Sequence, residues 1–233
     1  MIPIRDDNPT KRFPLVTAAL LVANVAAFAY EVSLSDAEFI AFVNTWAVTP
    51  ADVAAAPFSP RVLITLMTAM FLHAGWLHLG GNMLYLWIFG NNVEDTLGRL
   101  KFLAFYLASG IAATCAHIVV SGPSEIPLLG ASGAVAGVLG AYLLLFPKAH
   151  VMVVIPVFFI IELARVPAAF VIGFWFLLQV IQGIGAISPA ASGGVAWWAH
   201  VGGFAAGLVL VLPAWLGNRK RGRRKNTPFT TWR

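Results

Sequence analysis

Apolar residues in this chain fall in long runs with few polar breaks, a pattern too extended for the amphipathic elements of a soluble domain. About 20 apolar residues cross a bilayer as a helix, somewhat fewer when the helix is recessed. Six such stretches are predicted, at residues 14–30, 76–89, 100–120, 132–146, 167–187 and 194–216. A further run, "VMVVIPVFFIIELARVP" (151–167), is broken by Pro156 and interrupted by Glu162 and Arg165. It reads as a re-entrant or interfacial connector rather than a seventh span. The long segment between the first two spans is rich in Ala, Pro and aromatics. Structureless loops of that length are uncommon, so it is expected to carry short helices at the outer interface, with "RVLITLMTAMFLH" (61–73) as one piece.

Composition sharpens this picture. The 233 residues are 59% hydrophobic and 11% charged, with mean hydropathy +0.82. A soluble domain carries about 25% charge, so the chain reads as an all-α polytopic membrane protein. Charge placement then orients it. Lys11 and Arg12 precede the first span, Lys148 follows the fourth, and "NRKRGRRK" (218–225) follows the sixth. The segment after the first span holds Glu31, Asp36, Glu38 and Asp52 against Arg61. Positive-inside bias therefore puts both termini in the cytoplasm and favours an even number of spans.

The organisation expected is a cytoplasmic segment at 1–13, a six-span membrane domain at 14–217 and a basic cytoplasmic tail at 218–233. That tail reads as a topology anchor beside anionic lipid, not as a nucleic-acid site. The first apolar run has no convincing cleavage site and reads as a span, not a signal peptide. The single cysteine, Cys115, makes no internal disulfide and reads as a packing residue.

Polar side chains inside the spans are the candidates for chemistry, because hydrocarbon makes them costly. Ser132 opens the fourth span in "PLLGASGAVAGVLGAYLLLF" (127–146). His200 lies in "WWAHVGGFAAG", about six residues into the sixth span, roughly 9 Å down at 1.5 Å per residue. "HAGWLHLGGN" puts His78 and Asn82 four apart, on one face of the second span. These groups come from three helices and reach a similar depth below the outer surface. Gly133, Gly137, Gly203 and Gly207 fit close helix packing. His73 lies near the outer end of the second span and supports the site; His117 reads as structural.

Serine with histidine is the minimal pair for nucleophilic acyl transfer. His78, Asn82 and the Ser132 backbone N–H offer donors for an oxyanion. Glu94, Asp95 and Glu162 fall on the cytoplasmic side, so a dyad without a carboxylate is implied. Other intramembrane chemistries lack their residues: there is no H-E-x-x-H and no pair of buried aspartates. Two histidines and an amide do not make a metal site, and no cofactor is implied. Gly130-Ala131-Ser132-Gly133 also lacks the full G-x-S-x-G elbow.

"GASGAVAG", "HLGGN" and "AHVGGFAAG", in this order on the fourth, second and sixth spans, resemble the motifs of the rhomboid family of intramembrane serine proteases. "ELARVPAAFVIGFWFLLQVIQG" is similar to the fifth span of many bacterial members. The resemblance implies Ser132 as nucleophile, His200 as general base and acid, and His78, Asn82 and the Ser132 N–H as oxyanion donors. His73, Gly130, Gly133 and Gly203 stand in support, and the stretch from Glu94 to Gly98 is a structural corner. It also implies transmembrane protein substrates, admitted by movement of the fifth span and the last outer loop, "GIGAISPAASGG" (183–194).

One position departs from the family pattern. Many members carry an aromatic residue four after the serine, stacked on the histidine, where this chain has Ala136. Either Trp197 or Trp198 substitutes for it, or His200 is held more loosely. Two rival readings are a non-catalytic rhomboid-like membrane-protein binder, whose kind usually lacks the serine or histidine, and a small transporter, which would need a charged pathway.

Overall fold

Buried polar groups and a glycine at positive φ mark where the first helices of this protein start and stop. The computed structural model describes residues 1–157, 160–186 and 195–225. Helix α1 (Leu15–Ser33) begins where a carboxylate from another helix caps it. Glu94 accepts from the N–H of Val16 at 3.0 Å and from the N–H and hydroxyl of Thr17 at 2.7 and 2.8 Å. An acid there satisfies orphan donors and meets the positive end of the helix dipole. Glu94 belongs to α5 (Trp76–Leu97), which runs past Phe89, the end expected from hydropathy. Its polar last turns are buried because Glu94 caps α1 and Asn92 Nδ2 donates to the Asn8 carbonyl at 2.7 Å. Gly98, at φ +79°, ends α5 and starts α6 (Arg99–Ser121), a sharp corner that only glycine makes without strain.

Between α1 and α5 lie α2 (Asp36–Trp46), α3 (Pro50–Ala55), α4 (Pro60–Thr68) and a 3-10 turn, Ala69–Phe71. These are the short helices expected there, and the α4 segment meets α5 at an 85° bend. Glu31 ends up inside the last turns of α1, buried, rather than in the segment that follows it.

Helix α7 (Ser132–Leu145) is central. Every residue from Gly133 to Tyr142 is buried, against α5, α6 and α9 (Trp197–Lys225), with α8 (Ala168–Gly185) closing another side. A helix apolar all round is stable only when protein covers it all round. The outer helices instead expose Val22, Leu100, Val119, Leu177 and Val209. Such apolar exteriors face lipid, and the protein is an integral membrane protein. Among the described residues, four helices are long and apolar enough to cross a bilayer (Leu15–Ser33, Arg99–Ser121, Ala168–Gly185 and Trp197–Asn218), or five if the bent α4–α5 pair is one span. Helix α7 is shorter than these.

The stretch at 151–167 departs from expectation. It forms a hairpin, β2 (His150–Val157) and β3 (Ile160–Pro167), joined on its other side by β1 (Ile2–Asp6). The fold is therefore mostly helical with a three-stranded antiparallel sheet added, which the all-α expectation did not include. Val151 and Val153 are fully buried while Met152 and Val154 are partly exposed. That alternation of β-branched residues is strand chemistry, masked in the sequence by its uniform apolarity.

Asp7 holds the sheet together by accepting from the His150 N–H at 2.8 Å and from the Arg165 guanidinium. The Arg165 hydrogen bond, then that N–H, hold its carboxyl below the usual range. Burial pushes neighbouring Asp6 upward, opposed by a 2.6 Å hydrogen bond from the Tyr142 hydroxyl. Tyr142 is on α7, so the sheet is tied to the helix that begins with Ser132.

Candidate active site

Ser132 stands at the first turn of α7, where backbone N–H groups have no intrahelical acceptor. The chain just before it is pinned. Val48 and Leu128 exchange backbone hydrogen bonds at 3.1 and 2.8 Å, and the Gly130 N–H reaches the Ala69 carbonyl at 2.8 Å. Gly130 has φ +126°, and a Cβ there would lie 2.7 Å from Cε1 and Nε2 of His78. Backbone conformation and space both require glycine at this position.

Glycines bring the histidine to the serine. A Cβ at Gly203 would overlap the Gly133 carbonyl, and one at Gly207 the Gly137 carbonyl, so α7 and α9 touch backbone to backbone. His200, one turn before Gly203, then lies with Nε2 2.8 Å from Ser132 Oγ. Its Nδ1 is 2.7 Å from Gln179 Oε1 on α8. Ala136 is fully buried, and two other rings hold the imidazole. Trp197 meets it edge-on at 6.0 Å between centroids, and Trp175 of α8 lies tilted at 5.9 Å and 37°. Trp198 instead packs beside Gly183.

His78 and Asn82 approach from α5, one turn apart as their spacing predicts. Nδ1 of His78 accepts from the Ala74 N–H at 3.4 Å, which leaves the proton on Nε2, the nitrogen facing Gly130 and the serine. Asn82 Nδ2 lies 3.1 Å from Nε2 of His73. The His73 backbone N–H in turn donates to the buried Glu31 carboxylate at 3.3 and 3.2 Å. His73 is thus a buried support for Asn82. His117 takes no part in these bonds.

Ser132, His200, His78, Asn82, Tyr85 and Trp175 share one cavity of about 620 Å³, apolar over most of its wall. Sequence reading singles out the first four of these and passes over three others. Glu31 sits at a helix end among loop acids, and Trp175 and Gln179 are an indole and an amide inside an apolar helix. The signal available for the last two is their spacing of four, which places them on one face of α8.

The Rhomboid domain family matches residues 60–216 of the chain. Mitochondrial Rhomboid protein 1 of Saccharomyces cerevisiae is 40% identical over 97 residues, 38% of this chain and 27% of that protein. Rhomboid protease GluP of Bacillus subtilis is 46% identical over 78 residues, 34% of this chain and 15% of that protein. The mitochondrial Presenilin-associated rhomboid-like protein of Bos taurus is 31% identical over 105 residues, 44% and 28% of the two chains. In each case the chain spans less than a third of the relative's length. The chain belongs to the rhomboid family.

Proposed function

We propose that this protein is a serine endopeptidase that cleaves transmembrane segments of membrane proteins near the outer face of the bilayer. The observation that carries the reading is the 2.8 Å hydrogen bond between His200 Nε2 and Ser132 Oγ, at the wall of a cavity large enough for an unwound peptide.

Ser132 Oγ attacks the carbonyl carbon of the scissile peptide as His200 Nε2 takes the hydroxyl proton. Charge gathers on the carbonyl oxygen. The Ser132 N–H at the positive end of α7, the Nε2–H of His78 and the amide of Asn82 are the donors that meet it. The imidazolium then protonates the leaving amine and the C–N bond breaks, leaving an acyl-enzyme on Ser132. A water deprotonated by His200 hydrolyses that ester and frees the serine. A substrate helix satisfies its own backbone groups in lipid, so segments with small or helix-breaking residues near the outer end are the ones able to unwind into the cavity.

The membrane arrangement proposed has six spans, α1 and α5 to α9, within a catalytic domain at 14–217. Both termini lie in the cytoplasm of a plasma membrane, with lipid around the basic tail. Lys11, Arg12, Lys148 and the run at 218–225, against the acidic segment following α1, support that orientation. Substrate entry is assigned to α8 and the loop at 183–194, most of which lies outside the described residues. A fluorophosphonate probe tests the nucleophile: labelling is expected on Ser132 and absent in Ser132→Ala. Equal labelling of the two proteins would contradict the assignment.

A further inference from the structure

We infer that Gln179, braced by Trp175, is the positioning residue that fixes the tautomer of His200 and so makes its Nε2 the base toward Ser132; this rests on the catalytic reading of the pair.

The inference starts from the direction of one amide. The oxygen and nitrogen of a glutamine are told apart by their hydrogen-bond partners. Gln179 is 6% exposed, so its amide is held by protein groups. Its Nε2 lies 3.2 Å from the Trp175 carbonyl, one turn earlier on α8. A carbonyl oxygen only accepts, so the amide NH₂ must face it. The other end, Oε1, therefore faces His200 Nδ1 at 2.7 Å. Oε1 also only accepts, so Nδ1 must carry the proton. The lone pair of the neutral ring is then on Nε2, 2.8 Å from Ser132 Oγ, where a general base needs it.

Reversing the amide inverts every link. The NH₂ would then require a bare Nδ1, the ring proton would move to Nε2, and His200 would donate to the serine rather than accept from it. Oε1 would also face the Trp175 carbonyl, oxygen against oxygen. A helix carbonyl thus acts as the reference that sets the chemistry of a residue on another helix. Trp175 serves twice, through this carbonyl and through its ring against the imidazole.

The device differs from a carboxylate triad in adding no charge. An aspartate at Nδ1 both orients the ring and stabilises the imidazolium. A neutral amide only orients, and spares the desolvation of a buried anion. The titratable side chains near enough to act on His200 through their charge are His78 from α5 and His117 from α6. From α7 and α8 the partners are the neutral Ser132 and Gln179. No carboxylate is bonded to this ring among the described residues.

The test is ¹⁵N NMR of the full-length protein labelled at histidine, with the His200 signals assigned by their loss in His200→Ala. Wild type is expected to show His200 protonated at Nδ1, the minor form of a free neutral imidazole. Gln179→Leu should move the proton to Nε2 and lower kcat by about 10- to 100-fold with little change in KM. Gln179→Glu should keep the Nδ1 proton and restore kcat at high pH. Its carboxylate favours the charged ring, so the acid limb of its kcat–pH profile should move to higher pH. Wild-type His200 protonated at Nε2 would overturn the inference, even if Gln179→Leu fails to fold. So would an unchanged tautomer and pH profile in a folded Gln179→Leu. Because the tautomer is read without substrate, a protein that holds the Nδ1 proton but cleaves nothing would refute the catalytic reading alone.

Discussion

Gly203 of α9 lies against the main-chain carbonyl of Gly133 in α7, so close that a methyl group at position 203 would overlap that oxygen. This contact sets the distance between the two helices that carry His200 and Ser132. Gly203→Ala is expected to force α7 and α9 apart at a cost of about 1–3 kcal/mol. The serine–histidine hydrogen bond should be lost with it. Thermal unfolding in detergent and peptidase turnover should fall together. Gly173 on α8 has open space where its Cβ would be, so Gly173→Ala should leave both unchanged.

Gly130→Ala separates packing from chemistry. The added methyl meets a positive φ and the His78 ring at once. If His78 is the oxyanion donor proposed, displacement of that ring should lower kcat far more than affinity for a bound peptide. Steady-state kinetics on a transmembrane substrate measure the split.

His78→Ala and Asn82→Ala should each lower kcat by about 100-fold or more, the loss typical of one oxyanion donor. KM should change little, because in the proposed mechanism these groups bond to charge that develops only in the transition state. The double variant is expected to lose less than the product of the single losses, since both donors serve one oxygen.

Glu94→Ala removes three hydrogen bonds from the start of α1 and leaves two backbone donors and a hydroxyl without their acceptor. A stability loss of roughly 2–4 kcal/mol is expected, with turnover retained at a temperature where the protein stays folded. Glu94 makes none of the site's hydrogen bonds.

The sheet should respond to acid through Asp7. Its carboxyl is held below the usual range, so its contribution is complete above the ordinary carboxylate pKa and fades as pH falls through the lowered value. Asp7→Asn should therefore lower the melting temperature at pH 7, and the gap to wild type should close in acid. A gap that widens in acid would show the opposite linkage.

Spacing made the serine, both histidines and the asparagine legible in the sequence. Polar groups are rare in apolar helices, and His78 and Asn82 four apart can only share a face. The glycines were legible as packing, though which carbonyl each one meets depends on how α7 crosses α9. Gln179 was not legible, because its role depends on the direction of an amide that no motif encodes. Glu31 was hidden by lying at the edge of an apolar run, where burial depends on the turn that brings His73 over it. The sheet was hidden for a different reason: its central strand β2 is apolar on both faces from Val151 on, so the buried–exposed alternation of a strand leaves no polar–apolar pattern in the sequence.

The central claim is that Ser132 and His200 together cleave a membrane-embedded peptide. The most direct measurement is cleavage of a single-span substrate with small residues near its outer end, co-reconstituted in liposomes and read by mass spectrometry of the products. Wild type should give one or a few cuts near the outer end of the segment, and Ser132→Ala and His200→Ala should give none. Undiminished cleavage by either variant would contradict the account.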